Sequence, residues 1–237
     1  MTQVLLSIIT VTRNPDAGIL CTISGINPFL SERVEYVLID GGSEGAILQR
    51  MKDVLPFEAK FLSEPDEGIY DAMNKGWKMA RGKYLLFLNE GDELLQVPEE
   101  DLLHSEADVL LGSVQLDSGR QFNGQNSALL RFRNLWPHQG TFYRREMAFR
   151  YNSGLKIFAD FDLNQRLYKS RLRIECLSTN LPVARHRSGG ISGNRNGLKE
   201  FYAIIRTNFG ELSAGIAYLW FKLDGIARRL HLQKWVQ

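Results

Sequence analysis

The chain has 237 residues, 44% of them hydrophobic and 24% charged, and its 29 Lys and Arg against 27 Asp and Glu give a formal net charge of +2. This balance is typical of one folded globular domain with or without an appendage, and it excludes a disordered chain. The sequence has no run of 18 apolar residues, which excludes a transmembrane helix, and its two cysteines, Cys21 and Cys176, exclude a disulfide scaffold and a four-cysteine zinc site.

The first hundred residues alternate between two hydrophobic periods. They predict strands over 4–11, 34–39, 57–62 and 83–88, and helices over 15–25, 44–55 and 69–80. Strands that alternate with helices imply right-handed crossovers and a parallel sheet, so we expect an α/β fold. The amino-terminal sequence lacks a basic stretch and a cleavage site of small residues, so we expect no secretory signal and a reducing cytoplasm.

The second half is less regular. It predicts strands over 107–116, 141–143, 172–177 and 181–185, and helices over 161–169, 198–208 and 212–230. We expect one domain over residues 1–208 and a helical extension over residues 209–237.

Three acidic segments follow predicted strands. They are VLIDGGS (37–43), SEPDEGIYDAMNKG (63–76) and LLFLNEGDEL (85–94). Parallel strands present their carboxyl ends at one edge of the sheet, where such folds bind ligands, and carboxylates gathered there repel one another. A divalent cation or a polyhydroxyl ligand would relieve the repulsion. The alternatives are a turn at Asp40, a helix cap at Asp66 and a polar loop at 89–92.

These segments, together with SIITVTRN, WPHQGTF and ARHRSGGIS in the same order, resemble the family 2 glycosyltransferases of the GT-A fold. The likeness extends over about residues 4–205 and is greatest to the branch that assembles colanic acid and O-antigen-type exopolysaccharides. It implies a GT-A fold with a central, mostly parallel sheet flanked by helices.

The resemblance implies a nucleotide-sugar pocket. Asp40 matches the carboxylate that reads the uracil ring, because carboxylate oxygens accept the ring N–H. The other residues that the resemblance places at this pocket are Thr10, Asn14, Asp66, Gly68, Asp71, Asn74 and Asn89.

The resemblance also implies a metal site for Mn²⁺ or Mg²⁺. The run Asn89–Asp92 matches the family's Asp-x-Asp motif, but Asn89 and Gly91 stand where aspartates are common. Asp92 is therefore the one carboxylate matched to the cation. The similar branch also carries Asn and Gly there, and we expect the phosphates of the nucleotide to complete the metal's shell.

The segment KIFADFDLNQRL (156–167) resembles the family's general-base motif at a helix start. Asp160 matches the base, Ala159 replaces the usual acidic or serine neighbour, and Asp162 is the second candidate. The alternative for Asp160 is a helix N-cap.

For two further sets of residues, both a functional role and a purely structural one are open. His138 and Gln139 match a segment that lines the acceptor side, or they are structural residues. The cations of Arg185, His186 and Arg187 precede a glycine-rich turn at 188–192, where they could meet a diphosphate or form a basic surface loop.

The carboxyl-terminal segment 211–237 has an apolar stripe at helical spacing. The stripe comprises Leu212, Ile216, Leu219, Trp220, Leu223, Ile226, Ala227 and Leu230, with Lys222, Arg228, Arg229 and Lys234 largely off it and Phe221 and Trp235 as added aromatics. Residues 171–237 carry a net charge of +7 and residues 1–170 a net charge of −5. This pattern favours a helix on an anionic membrane surface, and the alternative is packing on the domain or on a second protomer.

The combined prediction is an inverting, metal-dependent glycosyltransferase of bacterial surface polysaccharide synthesis. It would move a sugar from a UDP-sugar to a hydroxyl of a glycan or lipid-linked glycan, in the cytoplasm or on the inner face of its membrane. The alternatives are a sugar nucleotidyltransferase, disfavoured because the loop after the first strand has no glycine before Gly18, and a non-catalytic membrane-associated module. The basic residues match no nucleic-acid-binding module.

Overall fold

The computed structural model describes residues 3–187 and 197–229, with side chains described up to residue 223. The strands in this part are β1 (Leu6–Thr12), β2 (Val34–Asp40), β3 (Lys60–Ser63), β4 (Tyr84–Phe87), β5 (Glu93–Leu94), β6 (Val109–Leu111), β7 (Ser113–Leu116), β8 (Gln121–Asn123), β9 (Thr141–Arg144), β10 (Ile174–Cys176) and β11 (Ala184–His186). The helices are α1 (Gly18–Ile26), α2 (Ala46–Val54), α3 (Ile69–Met79), α4 (Glu99–His104), α5 (Ala159–Lys169) and α6 (Leu198–Arg229).

A seven-stranded sheet forms the centre, in the order β10-β6-β9-β4-β1-β2-β3. β1 pairs in parallel with both β2 and β4, whereas β9 runs antiparallel between β4 and β6. A second sheet has the order β5-β11-β7-β8. The mostly parallel sheet with flanking helices confirms the predicted α/β class.

The central strands are apolar because both faces of the sheet are covered. Every residue of β1, β2 and β4 is buried. α1 and α2 pack on one face through Ile19, Ile23 and Met51. α3 packs on the other face through Trp77, and a Cβ at Gly76 would lie 2.4 Å from Ile9 Cγ2, so glycine permits this close approach.

The first four strands and three helices confirm the alternation that the sequence predicts, with shifted ends. The first helix begins at Gly18 rather than at Pro15, because Asp16 Oδ1 accepts a hydrogen bond from Gly18 N at 2.6 Å.

The strand predicted over 107–116 is wrong as one element. It divides at Gly112 into β6, in the large sheet, and β7, in the small one. A side chain at Gly112 would meet Leu177 Cδ1 at 2.8 Å, so the chain crosses between the sheets where there is no room for a Cβ.

The two predicted carboxyl-terminal helices form α6, which is interrupted at Gly210 with φ 85° and ψ 171°. Both parts share one apolar cluster with Phe161 of α5, which includes Phe201 and Ile205 before the interruption and Ala217 after it. The proposed division at residue 208 therefore stays a prediction. Within the described residues, none of the helices combines the length and apolarity needed to cross a membrane.

Some predictions fall outside the described part of the chain. They concern the turn 188–192 and the side chains of Ile226, Ala227, Arg228, Arg229, Leu230, Lys234 and Trp235.

Candidate active site

Part of the predicted site lies at the carboxyl ends of β1, β2 and β4 or in the loops that follow them, namely Thr10, Asn14, Asp40, Asn89 and Asp92. Thr10 is fully buried two residues before the end of β1, whereas Thr12 ends the strand. Asn14 follows with φ 48°, a left-handed conformation that asparagine tolerates, and its N–H donates to Ser43 Oγ at 2.7 Å. The loops after β1 and β2 are thus joined directly.

Asp40 is fully buried at the end of β2. Its carboxylate accepts hydrogen bonds from Ser43 N at 2.9 Å, Ser43 Oγ at 2.5 Å and Ser63 Oγ at 2.6 Å. Ser43 and Ser63 therefore hold this carboxylate within the protein. Its contact with a uracil ring stays a prediction, and sequence reasoning missed both serines, although Ser43 ends the VLIDGGS motif.

Asp66 lies directly over Gly41. A Cβ at Gly41 would be 2.2 Å from Asp66 Oδ2, while Asp66 Oδ1 accepts from Gly68 N at 3.0 Å. The helix that follows begins at Ile69 with Gly68 as its N-cap, so Asp66 is not the cap of α3. Asp66 instead places a carboxylate at the edge of the sheet beside the end of β2.

The two other polar residues of this segment that were predicted at the nucleotide-sugar pocket, Asp71 and Asn74, make contacts within the protein. Asp71 forms an ion pair with Lys75 at 3.4 Å and accepts from Glu67 N at 3.2 Å. The side-chain amide of Asn74 donates a hydrogen bond to Tyr151 O at 2.9 Å and accepts one from Tyr151 N at 3.0 Å. Asn74 therefore fixes the segment after β9 against α3, and its predicted contact with the nucleotide sugar stays a prediction.

Asp92 lies at the centre of the predicted metal motif and is 3% exposed. Its Oδ2 accepts from Asn89 N at 3.2 Å and from Gln139 Nε2 at 3.0 Å, and its Oδ1 accepts from Arg187 N at 3.1 Å. His186 Nδ1 lies 3.0 Å from Oδ1, and this hydrogen bond raises the pKa of His186 against the opposing effect of burial. The 85–94 and 181–187 segments therefore meet at Asp92.

Glu90 has a role that sequence reasoning missed. It accepts hydrogen bonds from Thr12 Oγ1 at 2.8 Å and from Asp16 N at 3.1 Å, so it ties the metal motif to the loop after β1. Burial raises the pKa of Glu90. The position of Glu90 inside the motif indicates a role at the site, but the sequence does not identify its partners, which lie more than 70 residues away along the chain.

Asp160 lies in the first turn of α5, where Phe158 is the N-cap, so the N-cap alternative for Asp160 is wrong. Asn134 Nδ2 donates to Asp160 Oδ2 at 2.8 Å. His138 Nδ1 lies 3.9 Å from the same oxygen, and His138 Nε2 lies 2.8 Å from Asn89 Nδ2. The two ring nitrogens of His138 thus face Asn89 on one side and Asp160 on the other.

Asp162 faces the other way. It is buried, pairs with Arg166 at 2.8 Å and accepts from Asn208 Nδ2 of α6 at 3.1 Å. The structure thus gives the two candidate bases different surroundings: Asp160 faces the motif loops, and Asp162 joins α5 to α6.

Three buried tyrosines, Tyr70, Tyr143 and Tyr151, lie close to Asp160. Burial raises the pKa of each phenol well above its ordinary value, and the negative charge of Asp160 raises it further. These side chains therefore stay uncharged at neutral pH.

The basic residues of the 184–187 segment have separate partners. The Arg185 guanidinium pairs with Glu93 at 2.5 Å and donates to Gln115 at 3.1 Å, whereas the Arg187 side chain is exposed. The predicted diphosphate contact of these residues stays a prediction.

Residues 7–97 match the family described as Glycosyl transferase family 2. A PGL/p-HBAD biosynthesis glycosyltransferase of Mycobacterium bovis (strain BCG / Pasteur 1173P2) is 30% identical over 209 residues, which are 81% of this chain and 80% of the relative. The corresponding protein of Mycobacterium tuberculosis (strain ATCC 25177 / H37Ra) gives the same values. These names differ from the exopolysaccharide branch, which stays a prediction.

Solved structures of S. aureus TarS have a similar fold. The TarS 1–349 complex with UDP-GlcNAc has a TM-score of 0.67 at 20% identity, over 85% of this chain and 64% of that one. The complex with UDP has a TM-score of 0.64 at 19% identity, over 86% and 64%. This chain spans 40 to 64% of the length of the TarS structures it matches. The likeness confirms the predicted GT-A architecture.

Proposed function

The chain belongs to the family 2 glycosyltransferases, and on this premise we propose that it is an inverting enzyme that transfers a sugar from a UDP-sugar to a hydroxyl of a glycan or lipid-linked glycan. Membership of the family favours sugar transfer over the nucleotidyltransferase alternative. The pathway proposed is assembly of a bacterial surface polysaccharide, on the cytoplasmic side.

One observation carries the proposal: hydrogen bonds join Asp92 to Asn89 and Asn89 to His138, and His138 Nδ1 lies 3.9 Å from Asp160 Oδ2. It supports a single site that contains both the proposed metal carboxylate and the proposed base. An inverting glycosyltransferase needs a group that stabilises the diphosphate and a base for the acceptor around the same anomeric carbon. The diphosphate leaves from one face of that carbon while the acceptor attacks the opposite face.

The proposed donor is a UDP-sugar. The TarS structures of similar fold were solved with UDP and with UDP-GlcNAc. Here Asp66 stands over Gly41, so a carboxylate that can accept the N–H of a base lies at the end of β2. This placement supports uracil as the base.

In the proposed reaction Asp160 accepts the proton of the acceptor hydroxyl while the oxygen of that hydroxyl bonds to the anomeric carbon. The bond from that carbon to the diphosphate oxygen breaks, and UDP leaves with the electron pair. A single displacement inverts the configuration. Asn134, which donates to Oδ2, holds the Asp160 carboxylate in position.

The chemistry of the donor set fits a divalent cation. Asp92 would supply carboxylate oxygen, the ligand type that suits Mg²⁺ and Mn²⁺, and His186 Nδ1 lies 3.0 Å from its Oδ1. Among the described residues no group of three or more His, Cys, Asp or Glu side chains is placed to hold a metal, so diphosphate and water would fill the other positions. When bound, the cation would neutralise charge on the departing diphosphate.

We also propose that α6 lies on an anionic membrane surface. Leu212, Leu219 and Leu223 are 80%, 59% and 65% exposed along one side of the helix, whereas Ala214 and Ala217 on the other side pack against the domain. This apolar side lies in the segment of net charge +7, which complements acidic headgroups. It would bring the site close to a lipid-linked acceptor.

Calorimetry with UDP, GDP and CDP, with and without Mn²⁺, tests the donor. We expect UDP to bind most tightly and Mn²⁺ to strengthen its binding. A screen of UDP-sugars for released UDP then tests transfer. Tighter binding of GDP would refute the UDP assignment, and turnover unaffected by EDTA would refute the metal.

Flotation with vesicles of phosphatidylcholine and phosphatidylglycerol tests the membrane contact. We expect salt-sensitive binding that Leu212→Ser with Leu219→Ser abolishes and that the control Phe57→Ser, at an exposed site outside α6, leaves intact. A stable dimer that does not float would instead identify this side of α6 as a subunit interface.

A further inference from the structure

Glu200, in the first turn of α6, binds the backbone just ahead of α5. Its Oε1 accepts hydrogen bonds from Ile157 N at 2.9 Å and Phe158 N at 2.7 Å, and its Oε2 accepts from Lys156 N at 2.8 Å. Phe158 is the N-cap of α5 and has no side-chain cap bond of its own. One carboxylate of a distant helix therefore binds three consecutive amides at the positive end of the helix that carries Asp160.

The contacts around Glu200 hold the same turn from a second side. A Cβ at Gly197 would lie 2.6 Å from Phe158 Cε2, so the start of α6 fits closely against the N-cap residue. Phe201 stacks on Phe161 at 4.8 Å between ring centroids with 8° between the planes, and lies edge-on to Phe158 at 5.5 Å. α6 thus contacts α5 on both sides of Asp160, at Phe158 and at Phe161.

We propose that Glu200 is a positioning residue that sets the direction in which Asp160 faces the acceptor. The inference rests on the proposed role of Asp160 as the base. Asp160 lies only two residues beyond Phe158, so a change in how α5 begins moves its carboxylate relative to His138 and Asn134. A displacement of about 1 Å at a reacting group can lower a rate by about 100-fold.

A comparison within α6 separates positioning from general stability. Asn208 is the matched control, because its amide also binds α5 but does so one turn further along, donating to Asp162 and Gln165 at 3.1 Å each. We expect Glu200→Ala to lower kcat by about 10- to 100-fold with UDP affinity unchanged. Asn208→Ala should lower the melting temperature and leave kcat within about threefold of wild type.

Two further variants test whether Glu200 acts through Asp160. Glu200→Gln keeps an oxygen for Ile157 N and Phe158 N and should recover most of the lost kcat. In an Asp160→Asn background, Glu200→Ala should lower the rate by less than about twofold, because residues that act as a unit are not additive. A full additional loss in that background would show that Glu200 acts independently of Asp160 and would overturn the proposal.

Amide hydrogen exchange provides a readout that needs no substrate. We expect Ile157 and Phe158 N–H to exchange faster in Glu200→Ala and at the wild-type rate in Asn208→Ala. Unchanged exchange in Glu200→Ala, or faster exchange without loss of kcat, would refute the positioning role. Failure of the wild-type protein to transfer sugar from any UDP-sugar is a different result, seen before any variant is made, and it would refute the proposed function itself.

Discussion

Replacement of the two neighbouring aspartates of α5 by asparagine should separate catalysis from stability. In Asp160→Asn the amide keeps the size of the side chain and an oxygen for Asn134, so the fold should be unaffected. The proton acceptor is lost, and loss of a positioned base typically lowers a rate by about 10²- to 10⁴-fold. This corresponds to about 2.7 to 5.4 kcal/mol of activation free energy.

Asp162→Asn should have the opposite effect. Asp162 is 7% exposed, and its replacement breaks the ion pair with Arg166 at 2.8 Å. A charge-assisted hydrogen bond contributes about 1.5–3 kcal/mol, and the lower end applies because Arg166 is 30% exposed and water can solvate the freed guanidinium. A loss of about 1.5 kcal/mol lowers the melting temperature of a chain of this size by about 3 to 6 °C.

The assay measures UDP release from the UDP-sugar that binds in the calorimetric screen, and differential scanning fluorimetry measures the melting temperature. UDP affinity, measured in parallel, should be equal in both variants and wild type. If Asp160→Asn retains more than a tenth of the wild-type kcat, or if Asp162→Asn is stable and inactive, the assignment of the base to Asp160 is wrong.

Three more replacements test other parts of the structure. Asp92→Asn should remove the gain in UDP affinity on addition of Mn²⁺, and a gain equal to wild type by calorimetry would contradict the metal assignment. Burial raises the pKa of Glu35, but hydrogen bonds from Ser7 and Arg81 outweigh it and lower the pKa below its ordinary value of 4.5. Ionised Glu35 should therefore stabilise the fold above pH 4.5, and this contribution should be lost as the pH falls through the lowered pKa. The destabilisation of Glu35→Gln in urea titrations should accordingly be largest at neutral pH and disappear in acid. Gly76→Ala places a Cβ 2.4 Å from Ile9 Cγ2 and should lower the free energy of unfolding by about 1–3 kcal/mol, whereas an unchanged urea midpoint would show that α3 can move away from β1.

The elements of the first ninety residues could be predicted because their signal is local. A strand buried on both faces, such as β1, is a continuous apolar run, and a helix such as α3 repeats its apolar residues every three or four positions. The division at Gly112 could not be predicted, because the sheet that each half joins depends on strands β9 and β11, which come later in the chain.

The residues of the candidate site could be predicted only as far as motifs identify them. Asp92 and Asp160 stand in recognisable segments, whereas Asn134 and Glu200 do not, and each acts across a long separation: Asn134 lies 26 residues from Asp160, and Glu200 lies 43 residues from Ile157. A polar residue in a loop or on a helix surface has no pattern that names its partner. Such contacts become visible only when the fold brings the two segments together.

The order of the strands in the large sheet governs how this chain can diverge. β1 to β4 and the Asp92 loop come from one continuous stretch, whereas His138, Asp160 and Glu200 all come from the stretch after β8. Recombination between relatives after residue 123 would therefore join the proposed donor contacts of the first stretch to the proposed acceptor contacts of the second. One constraint on such a chimaera is β9, which inserts beside β4 with Leu85 opposite Tyr143. A viable exchange must preserve that register and the aromatic packing of Tyr143 on Trp77 and Phe87.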